Sequence, residues 1–541
     1  MRRPYPFWWL LPAALLAFSC ARTATHPGIV QPSSSLPSEV AQSAPAQTGS
    51  LQLPPSITPE NQRQREDRTA EKQAQANEID DIIGARLAPS VLWGLSVRSL
   101  STGQSLLARN SDKLFTPASN MKLLTTAVAL IRLGPDFTYT SGLYWKGRRK
   151  KNALEGDVFF RGSGDPTISE RFQGKATAVF EEWADALKRQ GVREIRGDLV
   201  GDDSLFDDRS LGAGWAWDDE MIAYSARISA LSFNDNCFEA TVQPGKRVGD
   251  PARISISPET AYIELTNGVR TSSMDEQSEL EARRLFGSNR IVLSGRIGLS
   301  SEPRRLRFSV ANPALYAVTV LKEVFEESGI KVRGRAVDIG HSGKPVPDYG
   351  AMRAIALRQS EPLSEIVEQV NKRSQNLYAE LLFRTLGATF RGRGTTKNSS
   401  EVVVESLAAM GIPKDSLAVY DGSGLSRLDL VTPSQLVQVL DYMSRHPCFD
   451  YYYRSLPVAG VDGTLVKRMR NTPAEDNVRA KTGTLTHVTA LSGYMRDREG
   501  SFLAFSIMSN NSLRPASEMR TLEDAICERL VRAPGGGAEP H

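Results

Sequence analysis

Histidine is scarce in this chain, which holds 5 in 541 residues. His26 and His541 stand near the two ends, leaving His341, His446 and His487 as candidates for acid–base work. None of the three lies in a recognisable catalytic frame, and no Gly-x-Ser-x-Gly elbow occurs. This argues against a Ser-His-Asp hydrolase. His487 itself reads as a strand residue. Cysteine is rarer still, with 4 in all and no Cys-x-x-Cys pair, which excludes a disulfide framework and speaks against structural zinc. Cys237, Cys448 and Cys527 read as buried and non-catalytic, with at least one unpaired. Excess charge is missing too: 66 Lys and Arg against 62 Asp and Glu leave a net +4, and no nucleic-acid partner is expected. The basic run Arg148 to Lys151 reads as a solvated hairpin tip. No apolar run reaches the ~20 residues that a membrane-spanning helix needs. No internal repeat stands out, and neither a metal nor another cofactor is expected.

What is present begins at the amino terminus. Arg2 and Arg3 precede a mostly apolar run from Phe7 to Phe18, followed by the small residues Ser19, Cys20 and Ala21. That is the plan of an export signal over residues 1–21, implying a periplasmic or cell-envelope location. Two cleavage readings stand. Ala17-Phe18-Ser19-Cys20 resembles a lipoprotein box, which would make a lipid on Cys20 the only membrane attachment; cleavage after Ala21 would discard that cysteine. Residues 22–77 are rich in Pro, Ser, Gln, Thr and Ala and read as a flexible tether, and 533–541 as a disordered tail.

Between them lies globular sequence, 40% hydrophobic and 24% charged over the whole chain. Val91 to Val97 and Ser105 to Ala108 read as strands joined by a turn at Ser101-Thr102-Gly103. From Ser119 to Ile131 apolar residues fall on nearly every side, as in a helix buried within a domain. Phe502 to Met508 reads as a strand and Glu518 to Val531 as a closing helix. The two ends therefore belong to one α/β sandwich, residues 78–140 and 353–532. Residues 141–352 carry many short strand-like runs broken by Gly, Asp and Pro and read as an inserted β-rich domain.

Three short motifs carry the chemistry. Ser119-Asn120-Met121-Lys122 opens the buried helix. Residues three apart share a helix face, so the Lys122 amine can reach the Ser119 hydroxyl and take its proton if burial lowers its pKa. Ser374-Gln375-Asn376 joins two helical segments, Leu363 to Val370 and Leu377 to Leu386. There a hydroxyl can relay a proton and an amide can hold a peptide group. Lys481-Thr482-Gly483-Thr484 ends a strand-like run, offering fixed positive charge, a close-approach glycine and two hydroxyls suited to a carboxylate. Each motif alone has a bland reading as an N-cap, an interhelical turn or an exposed strand end. All three in this order, each in its required context, make the set found in penicillin-binding proteins and serine β-lactamases.

On these motifs the chain resembles the D-alanyl-D-alanine carboxypeptidase/endopeptidase family of low-molecular-mass (class C) penicillin-binding proteins, the penicillin-binding protein 4-like group. The resemblance extends to Phe160–Thr167, Gly201–Ser204, Ser229–Asn236, Asp421–Ser426 and Pro457–Leu465, which read as structural turns. The long interval from Ser119 to Ser374 leaves room for the insertion such proteins carry. The resemblance implies a serine β-lactamase/DD-peptidase-like α/β sandwich, an antiparallel sheet flanked by helices. It implies that Ser119 attacks the bond between terminal D-alanines of peptidoglycan peptides with Lys122 as base, and that backbone N–H groups of Ser119 and Thr484 hold the oxyanion. It further implies that Ser374 passes a proton to the departing amine with help from Lys122 and Lys481. Asn376 would hold the acyl part, Thr482 and Thr484 the terminal carboxylate, and Gly483 would leave room beside them. β-Lactam antibiotics would acylate the same serine as covalent inhibitors. Gln375 stands where many relatives have aspartate or asparagine. Two further readings share the fold: a serine β-lactamase, told apart by fast deacylation, and a catalytically silent penicillin-binding module. Oligomeric state is not legible.

Overall fold

The computed structural model describes residues 77–82, 84, 91–273, 278–285 and 287–533. The expected export signal, the lipid-bearing Cys20, nearly all of the tether and the tail lie outside the described residues.

Strands β1 (Leu92–Ser99), β2 (Ser105–Arg109), β3 (Arg479–Leu485), β4 (Val488–Arg496) and β5 (Phe502–Asn510) form an antiparallel sheet in the order β3-β4-β5-β1-β2. The two ends of the chain meet here: β1 pairs with β5 from Leu92↔Asn510 to Ser99↔Leu503. Successive side chains on a strand point to opposite faces, and both faces of this sheet are covered. Trp93, Leu95, Val97, Leu491, Met495, Phe505 and Ile507 turn to one side, against Met519, Leu522, Ile526 and Leu530 of the carboxy-terminal helix Ala516–Arg532. Ala490, Tyr494, Ala504 and Met508 turn to the other. On that second side lie α1 (Met121–Leu133), α2 (Leu363–Lys372), α3 (Asn376–Arg391), α4 (Thr396–Ala409) and α5 (Pro433–Ser444).

Local sequence explains where these helices begin and stop. Thr432 caps α5 by accepting from the Gln435 N–H at 3.1 Å, and the Gln435 side chain accepts from the Thr432 N–H at 2.9 Å, with Pro433 at the first helical position. Gly392 closes α3 with φ 82°, a conformation that a side chain would strain. Helix α1 is buried from Met121 to Leu130, Lys122 included, as its all-round apolar sequence requires.

The chain between α1 and α2 builds a second hydrophobic core. A sheet of Ala336–Asp338, Leu199–Asp202, Val158–Arg161, Thr140–Trp145 and Arg353–Gln359, in that order, lies beside two three-stranded sheets. Arg353–Gln359 pairs with Thr140–Trp145, so the expected boundary at 352/353 falls one strand short of where this sheet ends. Strands dominate the insert, yet it also holds the helices Ala178–Arg189 and Pro313–Glu327. The spacing of Val179, Phe180, Trp183, Ala184 and Leu187 is the helical face that a reading based on strands passes over. Phe206, Ala226, Ile228, Ala230 and Cys237 of the insert join the helix-side core, so the two parts are packed together. Arg148–Lys150 is an exposed strand of a short hairpin. Cys237, Cys448 and Cys527 are all buried and free.

Candidate active site

Pro117 precedes a single 3-10 turn, Ala118–Asn120, that runs into α1. Ser119 sits on that turn and Lys122 follows in the first turn of α1. The Lys122 Nζ donates to Ser119 Oγ at 2.8 Å. It also donates to Asn376 Oδ1 at 2.7 Å and to the Ser423 carbonyl at 2.6 Å. Three partners account for the three N–H bonds of a lysine ammonium, or for the two N–H bonds and the lone pair of the neutral amine, which then accepts from the Ser119 hydroxyl.

Lys122 is fully buried. Burial lowers its pKa to about 7, against the opposing pull of the Asp421, Glu380 and Asp429 carboxyls. Those acids lie behind the lysine rather than on it. Glu380 Oε1 accepts from the Gly422 and Ser423 N–H groups at 3.0 and 2.8 Å. Asp421 accepts from Gly424 N at 2.6 Å, Ser426 N at 2.7 Å and Trp215 Nε1 at 2.9 Å. They shape the loop whose Ser423 carbonyl meets the amine. Burial, and next the Asp421 charge, push Glu380 and Asp429 above the usual carboxylate range.

The second motif spans the α2–α3 junction. Ser374 has φ 54°, Gln375 caps α3 by accepting from Leu377 N at 3.2 Å, and Asn376 is the first residue of the helix. Asn376 Nδ2 donates to the Tyr224 carbonyl of the insert at 2.8 Å, which directs its oxygen to Lys122. The third motif lies on the edge strand β3. Lys481 Nζ donates to Ser374 Oγ and to the Thr482 carbonyl, both at 2.8 Å. Thr482 Oγ1 donates to Thr464 Oγ1 at 2.8 Å, and Thr484 is exposed. A Cβ on Gly483 would stand 2.9 Å from both Asn120 Nδ2 and the Pro117 carbonyl, so the missing side chain lets β3 lie against the Ser119 turn.

Residues from the three motifs thus form two hydrogen-bonded clusters: Ser119, Lys122 and Asn376 in one, Ser374 and Lys481 in the other. Burial, and next the Lys122 charge, push the Lys481 pKa well below the ordinary lysine range. One expectation changes. His487 is not in a strand: Thr486 and His487 form the turn between β3 and β4, where His487 takes φ 66° and its Nδ1 lies 2.7 Å from the Ser512 carbonyl. The two-residue reversal needs a left-handed backbone there.

Sequence reasoning missed Glu380, Asp421, Ser423, Tyr224 and Thr464. Glu380 left a signal, a carboxylate within the apolar run of α3. The others act through backbone groups or lie in segments read as plain turns. Among the described residues no three His, Cys, Asp or Glu side chains form a metal-holding group.

Comparison with known proteins places the chain in a family. Residues 75–532 match the model of the D-Ala-D-Ala carboxypeptidase 3 (S13) family. A D-alanyl-D-alanine carboxypeptidase from an Actinomadura species is 35% identical over 85% of this chain and 84% of its own length. The D-alanyl-D-alanine carboxypeptidase DacB of Haemophilus influenzae is 28% identical over 76% of this chain and 84% of its own. The crystal structure of penicillin binding protein 4 from Haemophilus influenzae superposes with a TM-score of 0.73 at 26% identity, covering 84% of this chain and 99% of that one. The same protein complexed with a novel β-lactam gives 0.68 at 25% identity, with the same coverage. The chain belongs to the D-Ala-D-Ala carboxypeptidase 3 (S13) family and is a hydrolase of that kind.

Proposed function

We propose that this chain removes or cuts at D-alanine in peptidoglycan stem peptides through an acyl-enzyme on Ser119, and that β-lactams trap it there. The observation that carries the reading is the buried Lys122 amine, 2.8 Å from the Ser119 hydroxyl and with a pKa lowered to about 7. A neutral lysine at that distance accepts the hydroxyl proton as Oγ attacks the carbonyl carbon between the terminal D-alanines. The tetrahedral intermediate collapses by breaking the C–N bond. The departing amine takes the proton that Lys122 accepted, relayed by Ser374, which Lys481 contacts at 2.8 Å, and this leaves Lys122 neutral again. Water then attacks the Ser119 ester and gives its proton to Lys122, which returns it to the Ser119 oxygen as the ester bond breaks and the shortened peptide leaves.

Asn376 holds the acyl chain, while Thr482 and Thr484 receive the terminal carboxylate beside Lys481 and Gly483. A terminal carboxylate arriving beside Lys481 would oppose the lowering of its pKa and favour the ammonium form that pairs with it. The catalytic part comprises 78–140 and 353–532 around the insert 141–352, with Arg353–Gln359 completing the insert's sheet. Export follows from residues 1–21, and a lipid on Cys20 is the finer form of that reading.

The test is mass spectrometry of penicillin-treated protein, followed by a steady-state assay for D-alanine release from a peptide ending in D-Ala-D-Ala. An adduct on Ser119 with turnover is expected; an adduct elsewhere, or none, sinks the reading. Rapid loss of the adduct with penicillin turnover would instead mark a β-lactamase.

A further inference from the structure

One stretch of the insert is held in a conformation that residues other than glycine avoid. Asn234, Asp235 and Asn236 have φ values of 48°, 58° and 51°. Left-handed non-glycine residues cost of order 1–3 kcal/mol each and persist only where surrounding contacts over-determine them. Those contacts are present. Asn236 Oδ1 accepts from Phe233 N at 3.1 Å and from Ser232 Oγ at 3.0 Å, while its Nδ2 donates to the Arg227 carbonyl at 2.8 Å.

The consequence of this turn is the direction of the Asp235 carboxylate, which is 2% exposed. Its Oδ2 accepts from Arg171 Nε at 2.7 Å and Arg307 Nη2 at 2.6 Å, both within the insert. The remaining contacts cross to the other part of the protein. Tyr378 OH, on the first turn of α3, donates to Oδ1 at 2.5 Å, and Gln375 Nε2 donates to Oδ2 at 3.4 Å. Gln375 is the middle residue of the second motif. Tyr378 remains a donor, since burial and the Asp235 charge hold its hydroxyl well above the ordinary tyrosine pKa. Ser374, one residue before Gln375, is itself left-handed at φ 54°, so the loop that presents it needs bracing from outside.

We propose that Asp235 is a positioning residue for the reaction: through Gln375 and Tyr378 it locks the loop that offers Ser374 and Asn376 to the two buried lysines. The insert is then a brace for the active site, and Gln375 is its point of attachment. The inference rests on the acyl-enzyme reading above. A carboxylate facing two guanidinium groups and a phenol makes charge-assisted bonds that an amide cannot replace, because the amide NH2 would meet donors.

The test compares the full chain with Asp235→Asn, Gln375→Ala and the double variant, using a fluorescent penicillin to read the acylation rate of folded protein. Each single variant is expected to acylate at least about tenfold slower, since small displacements of catalytic groups carry losses of that order. D-alanine release should lose kcat with KM little changed. The double variant should be no more than about twofold slower than the slower single one, because both substitutions break one linkage. If Asp235→Asn does not fold, Gln375→Ala carries the same expectation. Variants that label at the parent's rate, with only a lowered Tm, would overturn the proposal, and so would effects that multiply in the double variant. A parent that takes no label on Ser119 overturns the proposed function and this inference with it, so the two failures are distinct.

Discussion

The hydroxyl of Ser374 accepts a 2.8 Å hydrogen bond from the amine of Lys481, 107 positions further along the chain. This contact ties the α2–α3 loop to the edge strand β3. Among the described residues the other acceptor for that amine is the Thr482 carbonyl. Ser374→Ala removes both an acceptor for a buried amine and a proton relay. Acylation by a reporter penicillin should fall about 100-fold, while stability, read by urea unfolding, should fall by only about 1–2 kcal/mol.

Acylation should follow the state of Lys122. Its amine accepts a proton only when neutral, and the neutral fraction grows with pH. With burial lowering its pKa to about 7, kcat/KM should climb as pH rises through that value and then level off. A lysine in water would still be charged there and would keep the rate climbing to about pH 10. Stopped-flow labelling across this range checks the point, and a midpoint above about 9 would contradict it. Lys122→Arg, which cannot give up its proton near neutrality, should lose at least about 1000-fold in labelling.

Two glycines, Gly424 on a loop and Gly483 on β3, let neighbouring backbone lie against the Ser119 turn. A Cβ on Gly424, at φ 78°, would stand 1.8 Å from the Ala118 carbonyl, a backbone atom that cannot swing aside. Gly424→Ala should cost about 3 kcal/mol or more and abolish labelling. Gly483→Ala meets its neighbours at 2.9 Å, a milder clash. It should shift β3 by a few tenths of an ångström and slow acylation more than it lowers Tm.

Asp421 organises the loop behind Lys122 by accepting from Gly424 N, Ser426 N and Trp215 Nε1. In Asp421→Asn one set of these donors faces an NH2 group instead of an oxygen. Denaturant unfolding should show a loss of about 3 kcal/mol, a buried charged acceptor having been removed. Penicillin labelling should weaken with it, since the Ser423 carbonyl would lose its support.

Much of the fold was legible because its signals are local. Short, mostly apolar runs marked β1 and β5, the all-round apolar run marked α1, and spacing alone placed Lys122 on the same face as Ser119. The helix Ala178–Arg189 was legible as well, in the period of its apolar residues, but short strand-like runs around it masked the signal. His487 was misread because a hairpin reversal of two residues leaves almost no composition to read.

The sequence by itself determined which groups this protein brings to a reaction: a hydroxyl and an amine one helical turn apart, a Ser-x-Asn loop and a Lys-Thr-Gly strand. Only the tertiary structure decided that Lys122 meets Asn376 while Lys481 meets Ser374, and that Asp235 of the insert grips Gln375. Tertiary burial also lowered the pKa of each lysine. Periodicity acts over a few residues, whereas desolvation and the meeting of distant side chains depend on how whole apolar faces pack.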